Sequence, residues 1–142
     1  MNMKTKFILF LFFAAIIVNT TFVQAQTKEY RIDSTLGKCT AKNASDAGMI
    51  TCLQKAETDW DKELNKYYKL LLIKLDTSQQ KKCRDSQRQW LIYKDKEVNF
   101  FTDIFSKKDG SMWNLLIADK RMQIIRQRVV ELIGYYETLT QN

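Results

Sequence analysis

Asp59 and Glu63 are four residues apart in a segment with a helical pattern, so they share one helix face. Paired carboxyl groups are the side chains that general acid–base chemistry uses. Lys62 and Lys66 stand close by, and interleaved charges of this kind are typical of a solvated helix surface. The chain has no histidine, which removes the commonest general base and metal ligand. We therefore predict that the protein is not an enzyme.

The acidic residues at 59–65 also have the spacing of the first part of a calcium-binding loop. The sixth position of such a loop needs glycine for a sharp turn, and here it is Leu64 inside a helical pattern. No glycine-rich phosphate-binding loop is present in the sequence. We therefore expect neither a metal nor a cofactor.

The chain has three cysteines, Cys39, Cys52 and Cys83. Cysteines pair in oxidising compartments, and an odd number leaves one over. Cys39 and Cys52 are close in sequence, so we expect them to staple the N-terminal loop to the first long helix, which stabilises by roughly 3 kcal/mol on the chain-entropy model. Cys83 then stays a free buried thiol, because it lies on the apolar face of a helix. Pairings that use Cys83 are the alternatives, and each leaves an N-terminal thiol exposed.

Residues 1–25 have the pattern of a secretory signal peptide. Lys4 and Lys6 precede an uncharged apolar run at 7–18, and Val23-Gln24-Ala25 resembles a small-residue cleavage site. The alternative is a retained membrane anchor, but the run is shorter than the about 20 residues that a spanning helix needs. We expect one mature domain at 26–142, soluble and either periplasmic or secreted.

The charge balance limits the classes of partner. The whole chain carries a formal charge of +7, and removing the two lysines of the signal peptide leaves +5. Export argues against nucleic acid as a partner. So do the mixed charges on the outer face of the helix that we expect at 77–105. A modest positive excess favours attraction to anionic envelope polymers.

The composition and periodicity predict an all-α fold. The chain has no proline and four glycines. Apolar residues recur at helical spacing over 45–75, 77–105 and 112–138, whereas 26–44 is polar and expected to be irregular. We predict three amphipathic helices in an antiparallel bundle or hairpin-like array. Ser45 or Asp46 is expected to cap the first helix, a capping box from Thr77 to Gln80 the second, and Ser111 the third.

Two groups of polar residues are not explained by a simple core. Gln87 and Lys94 flank Trp90 on the apolar face of the second helix. In one interpretation both belong to the core, where Gln87 makes a buried hydrogen bond and Lys94 snorkels past Trp90 to solvent. In the other, they line a groove. A second stripe lies opposite the main seam of the first helix and either meets another element or recognises a partner. Its members are Asp61, Asn65, Tyr68 and Leu72.

The ordered set of these positions resembles the LprI-type lysozyme-inhibitor family over about residues 39–133. The residues that carry the resemblance are Cys39, Met49-x-x-Cys52, Leu64-Asn65-x-x-Tyr68 and Arg84-x-x-Gln87-x-x-Trp90-x-x-Tyr93-Lys94-Asp95. It implies an exported, mainly helical domain with Trp60, Leu64 and Trp90 among its core positions. For some members of the family it implies inhibition of c-type lysozyme.

The chain departs from the family pattern at four positions. Val98 and Ala118 stand where the family often has cysteines, so we predict that they are neighbours whose packing replaces a disulfide. Cys83 replaces a usual leucine, which suits a small buried apolar side chain. Lys94 replaces a usual arginine and loses its bidentate geometry.

The sequence and the resemblance together predict an exported binding protein. The first hypothesis is inhibition of c-type lysozyme by occlusion of the enzyme's cleft. The alternative is an interaction module of the cell envelope that binds an anionic glycan, a lipid surface or a protein. Both c-type lysozymes and this domain are basic, which slows their encounter unless a cationic group fits the enzyme's acidic cleft.

Overall fold

Four α-helices form the fold in the computed structural model, which describes residues 30–141. They are α1 (Arg31–Lys42), α2 (Asp46–Lys74), α3 (Thr77–Phe105) and α4 (Met112–Thr140). The all-α prediction is confirmed, but the expected number of three helices is wrong because α1 is an additional one. The expected signal peptide lies outside the described residues. No helix of the described part is long and apolar enough to cross a membrane.

Residues 26–44, which we expected to be irregular, contain helix α1. None of its 12 residues is fully buried, but Ile32 and Leu36 share one face of the helix and pack against the core. Tertiary bonds also hold the helix to the rest of the molecule. The predicted disulfide joins Cys39 of α1 to Cys52 of α2, with their Cα atoms 5.8 Å apart. Asp33 of α1 forms a salt bridge with Arg126 of α4.

Helices α2 and α4 pack against each other along their length and form most of the core. The side chains of Trp60, Met122, Val129 and Leu132 are at most 1% exposed. The predicted stripes of both helices supply this core, as their 3.6-residue period requires. Ser45 caps α2 as predicted, because its hydroxyl accepts a hydrogen bond from the backbone N–H of Gly48 at 3.2 Å.

Gly48 is required by the connection between α1 and α2. A Cβ atom at this position would lie 2.8 Å from Cβ of Asn43 and 3.1 Å from its carbonyl oxygen. A Cβ atom at these distances would force Asn43 to move. The glycine therefore lets α1 turn closely into α2, next to the disulfide.

Helix α3 is packed less completely than α2 and α4. It contacts α4 and makes few contacts with α2, and its fully buried residues are Gln87 and Phe101. Its capping box begins one residue earlier than predicted, with Asp76 as the N-cap and Gln79 as its partner. The aspartate carboxylate and the backbone N–H of Gln79 are 2.9 Å apart. Helical spacing predicts that Leu91 lies on the inward face with Gln87 and Lys94, but this prediction is wrong, because Leu91 is 41% exposed.

The turn between α3 and α4 is closed by aromatic and polar contacts. Gly110 has φ +104°, a backbone conformation that favours glycine. Phe105 and Trp113 stack across the turn with ring centroids 5.6 Å apart. Ser111 does not cap α4 with its side chain, contrary to the prediction, and instead donates a hydrogen bond to the carboxylate of Asp46.

Candidate partner-binding surfaces

Gln87 is part of a polar cluster between α3 and α4. It is 8% exposed, and its side-chain carbonyl accepts a hydrogen bond from Nε of Arg128 at 3.2 Å. The same guanidinium donates to the hydroxyl of Ser86 at 3.2 Å and to the carboxylate of Glu131 at 2.9 Å. Gln87 is therefore satisfied inside the protein, which favours the core interpretation over the groove.

Trp90 and Lys94 continue this face of α3. Trp90 is half-buried against the core, and the guanidinium carbon of Arg128 lies 5.9 Å from the centroid of its ring. The ammonium of Lys94 is 3.5 Å from the carboxylate of its neighbour Asp95, and the lysine side chain is 26% exposed. Lys94 thus reaches solvent from a half-buried position, as a snorkelling lysine does.

The stripe on α2 is accessible at one end and packed at the other. Asp61 and Asn65 are exposed, whereas Tyr68 is half-buried and packs against the core. The Asn65 amide donates to the backbone carbonyl of Asp61 at 2.8 Å and to its carboxylate at 3.3 Å. Within residues 30–141, no hydrogen bond or ion pair joins this stripe to Gln87 or Lys94 on α3. They are therefore two separate candidate surfaces.

Trp60 lies at the centre of a cluster that sequence reasoning found only in part. Trp60 and Leu64 are buried as predicted, at 1% and 5% exposed. The guanidinium of Arg126 lies 5.6 Å from the Trp60 ring and 5.7 Å from the Tyr30 ring. It also forms a two-pronged salt bridge with Asp33, at 2.9 Å and 2.7 Å.

This salt bridge raises the pKa of Arg126 above its ordinary value, chiefly through the hydrogen bonds to Asp33. The guanidinium therefore stays charged while it packs on two aromatic rings. No sequence pattern pointed to this pair, because its members are 93 residues apart. The cluster fixes α1 on the α2–α4 pair.

The carboxyl groups considered for acid–base chemistry are held in surface ion pairs. Asp59 lies 2.9 Å from the ammonium of Lys62 and 3.0 Å from that of Lys55. Hydrogen bonds from Lys62 and then Lys55 lower the pKa of Asp59 below its ordinary value, which keeps the group ionised. Glu63 lies 2.8 Å from the ammonium of Lys66. These contacts make a solvated charged face, and the lowered pKa of Asp59 makes that residue a poor general acid near neutral pH.

No cluster of three or more histidine, cysteine, aspartate or glutamate side chains that could hold a metal ion occurs among residues 30–141. Cys83 is free, and it is half-buried rather than fully buried as we predicted. Burial raises the pKa of its thiol, while Arg128 and Arg84 act in the opposite direction. Val98 is half-buried and packs against the core that contains Ala118, and the direct contact between the two stays a prediction.

The turn between α3 and α4, residues 106–111, presents an exposed surface. Its two lysines differ in their surroundings. Lys107 pairs with Asp103 at 2.7 Å, whereas Lys108 is exposed and has no ion pair within the described part of the chain. Trp113 holds the backbone behind them, because its ring N–H donates to the carbonyl of Asp109 at 3.0 Å. The turn therefore displays a free cation on a fixed backbone.

The start of α3 forms a second cationic surface. Lys81, Lys82, Arg84 and Arg88 lie within eight residues, and all four are exposed. Asp85 is the acidic residue among them, and it pairs with Lys81 at 3.0 Å and with Arg88. Lys82 has no ion pair within residues 30–141. The net charge of this basic cluster is therefore positive.

Comparison with known proteins identifies the family. Residues 39–132 match the family described as lysozyme inhibitor LprI. No curated protein matches. A solved structure of an uncharacterized protein from Burkholderia thailandensis superposes with a TM-score of 0.75 and 27% sequence identity. The match covers 80% of this chain and 57% of that chain, so the chain spans little more than half the length of its structural relative. The chain belongs to the LprI lysozyme inhibitor family.

Proposed function

We propose that this protein is exported and inhibits c-type lysozyme by occluding the enzyme's cleft. The family match over residues 39–132 is the observation that carries the proposal. The signal-peptide pattern at 1–25 supports export, since a lysozyme target acts outside the cytoplasm. The ion-paired carboxylates of α2 are consistent with a binding role rather than a catalytic one.

Occlusion requires a protruding element whose charge suits the cleft. Lysozyme cleaves its substrate with two carboxyl groups that flank the scissile bond, so its cleft is acidic. The turn at 106–111 is exposed throughout, and its two lysines outnumber its one aspartate, Asp109. Lys108 is its free cation, and the stacked rings of Phe105 and Trp113 hold the turn in place. A rigid contact loses little conformational entropy on binding.

Lys108 in this turn also explains how two basic proteins can bind each other. Two basic proteins repel each other at long range, which lowers the rate of association. Short-range pairing in a partly dry cleft is screened less by salt than surface repulsion is. We therefore expect slow association that is faster at moderate salt, followed by slow dissociation.

The remaining candidate contact residues differ in their exposure to solvent. Asp61 and Asn65 are exposed and, with Tyr68 beside them, stay candidates for a second contact area. Gln87 is engaged with Arg128 of α4, whereas Lys94 pairs with its neighbour Asp95 on the same helix and reaches solvent. In this proposal Gln87 helps to hold the α3–α4 hairpin, and thus the turn, in position, and Lys94 stays a candidate contact.

A lysis assay with purified c-type lysozyme and matched variants tests the assignment of the turn. We expect wild-type protein to inhibit and Lys108→Glu to inhibit at least about tenfold less well, because a like charge then enters the acidic cleft. Lys96→Glu makes the same change of charge at an exposed site on α3 and should inhibit like the wild type. Equal inhibition by all three proteins would show that another surface contacts the enzyme.

A second candidate function is favoured by the basic cluster at the start of α3. An envelope module that binds an anionic glycan would use such a surface for electrostatic attraction. The test is co-sedimentation with purified anionic cell-wall polymer at increasing salt. Release by salt, and loss of binding in the double variant Arg84→Glu/Arg88→Glu, would support this function over lysozyme inhibition.

A further inference from the structure

An apolar pocket lies where three helix ends meet, away from the α3–α4 turn. The end of α2, the beginning of α3 and the last turns of α4 surround a volume of about 420 Å³. This is within the range of roughly 300–1,000 Å³ that is typical of small-molecule sites. The pocket is open to solvent on one side, so a ligand can enter it without a change of fold.

The walls of the pocket are almost wholly apolar. Leu71 and Leu75 come from α2, and Leu132 and Leu139 come from α4. Leu139 is 43% exposed although it is a large aliphatic residue. Such a surface is disfavoured in water and is stabilised when an apolar group covers it.

Two cations stand at this apolar surface. Lys82 and Arg128 both line the pocket. Arg128 is fixed by its bonds to Gln87, Ser86 and Glu131, and the carboxylate of Glu131 neutralises part of its charge. Lys82 is exposed and pairs with no other described residue, so its ammonium is available to an anion.

An apolar pocket beside a free cation fits a ligand with one hydrocarbon chain and one negative head group. We propose that this pocket binds a single fatty carboxylate of about twelve carbons, with its chain along the leucine walls and its head group paired with Lys82. Arg128 also lines the pocket and adds positive potential. The proposal does not depend on the lysozyme hypothesis, because the pocket and the α3–α4 turn share no residue.

Cys83 offers a direct readout, because it lines this pocket and is the protein's free thiol. A bound hydrocarbon chain shields the thiol from a soluble reagent. The experiment measures the rate at which a chromogenic disulfide reagent modifies Cys83, with dodecanoate below its micellar concentration. At a concentration ten times the Kd, we expect the rate to fall roughly tenfold.

Ligand analogues separate the two parts of the proposed interaction. Dodecyltrimethylammonium has the same chain length and the opposite charge, and should protect at least about tenfold less well. Shortening the carboxylate to octanoate should weaken protection by up to roughly fourfold for each methylene that leaves the pocket. Equal protection by the cationic and anionic amphiphiles would overturn the assignment of the head group.

Variants at neighbouring positions test the location. Lys82→Glu should weaken protection by dodecanoate at least about tenfold, whereas Lys81→Glu should retain it, because Lys81 lies outside the pocket and pairs with Asp85. Thr138→Phe should fill the pocket and abolish protection, because Thr138 lines it and its hydroxyl bonds only within α4. Each rate is compared with the same variant's rate without ligand.

The proposal is overturned if dodecanoate leaves the wild-type rate unchanged, or if Lys82→Glu or Thr138→Phe is protected like the wild type. Circular dichroism of each variant establishes that the helices are intact. Titration calorimetry with dodecanoate provides a second measurement that does not use the thiol. A binding heat that is absent from Thr138→Phe and present in Lys81→Glu is the expected result.

Discussion

Arg128 donates from Nε to the side-chain carbonyl of Gln87 at 3.2 Å, across the interface between α3 and α4. This bond joins a buried amide to a guanidinium whose side chain is only 11% exposed. Because α3 buries few of its own residues, polar contacts of this kind matter more for its position than they do for α2 or α4. The motif glutamine therefore acts as an anchor of the helix that leads to the exposed turn.

Removing this anchor should destabilise the protein. We expect Gln87→Ala to lower the free energy of unfolding by about 1–3 kcal/mol, because it leaves a buried donor of Arg128 without its partner. Gln89→Ala, at an exposed position of the same helix, should change it by no more than about 0.5 kcal/mol. Urea unfolding followed by circular dichroism measures both, and equal effects would contradict the anchoring role.

The salt bridge between Asp33 and Arg126 should stabilise the docking of α1. Asp33→Asn removes the charge that satisfies a partly buried guanidinium, and we expect a loss of about 1–3 kcal/mol. Asp103→Asn is the control, because its pair with Lys107 is about 70% exposed on both sides and contributes at most about 1 kcal/mol. Urea unfolding curves of the two variants should therefore differ clearly in their midpoints.

The disulfide between Cys39 and Cys52 should contribute more than either polar contact. Closing this loop removes roughly 3 kcal/mol of conformational freedom from the unfolded chain on the entropy model. The comparison is between Cys83→Ser and the triple variant that also carries Cys39→Ser and Cys52→Ser, so that no free thiol can exchange. Proteolysis within α1 should become faster in the triple variant, and an unchanged unfolding midpoint would contradict the stabilising role.

The long helices could be predicted from the sequence because their apolar stripes form one continuous core. The stripes of α2 and α4 follow the 3.6-residue period, and the predicted boundaries agree with the structure to within two residues. Helix α1 was not predicted, because its apolar face consists of few residues within a polar segment that contains Gly37. In the structure Ile32 and Leu36 pack against the core, and the disulfide and Arg126 add to this contact. Short helices in water depend on such tertiary contacts.

The candidate surfaces were predictable only where one helix determines them. A helical wheel placed Gln87 on the inward face of α3, but it could not name Arg128 as the partner from another helix. For the same reason it missed Asp33 and Arg126. Leu91 is exposed because α3 packs on α4 and makes few contacts with α2, a fact of tertiary geometry that no local pattern contains.

The partial burial of Cys83 determines how the reactivity of its thiol depends on pH. Because burial disfavours the thiolate, the pKa in the folded state lies above the ordinary value of 9.0. Folding therefore gains stability from this group below pH 9 and loses it as the pH rises through the folded-state pKa. Alkylation by iodoacetamide should reach half its maximal rate at a higher pH in the native protein than in urea. Coincident pH profiles would contradict this environment.

The proposed inhibition of c-type lysozyme has a direct test. The purified domain, residues 26–142, is titrated into a c-type lysozyme at fixed concentration, and lysis of a bacterial suspension is followed. We expect lytic activity to fall linearly to zero near one equivalent of the domain, and inhibition to persist at moderate salt. Full lytic activity at a micromolar excess of the domain would refute the proposed function.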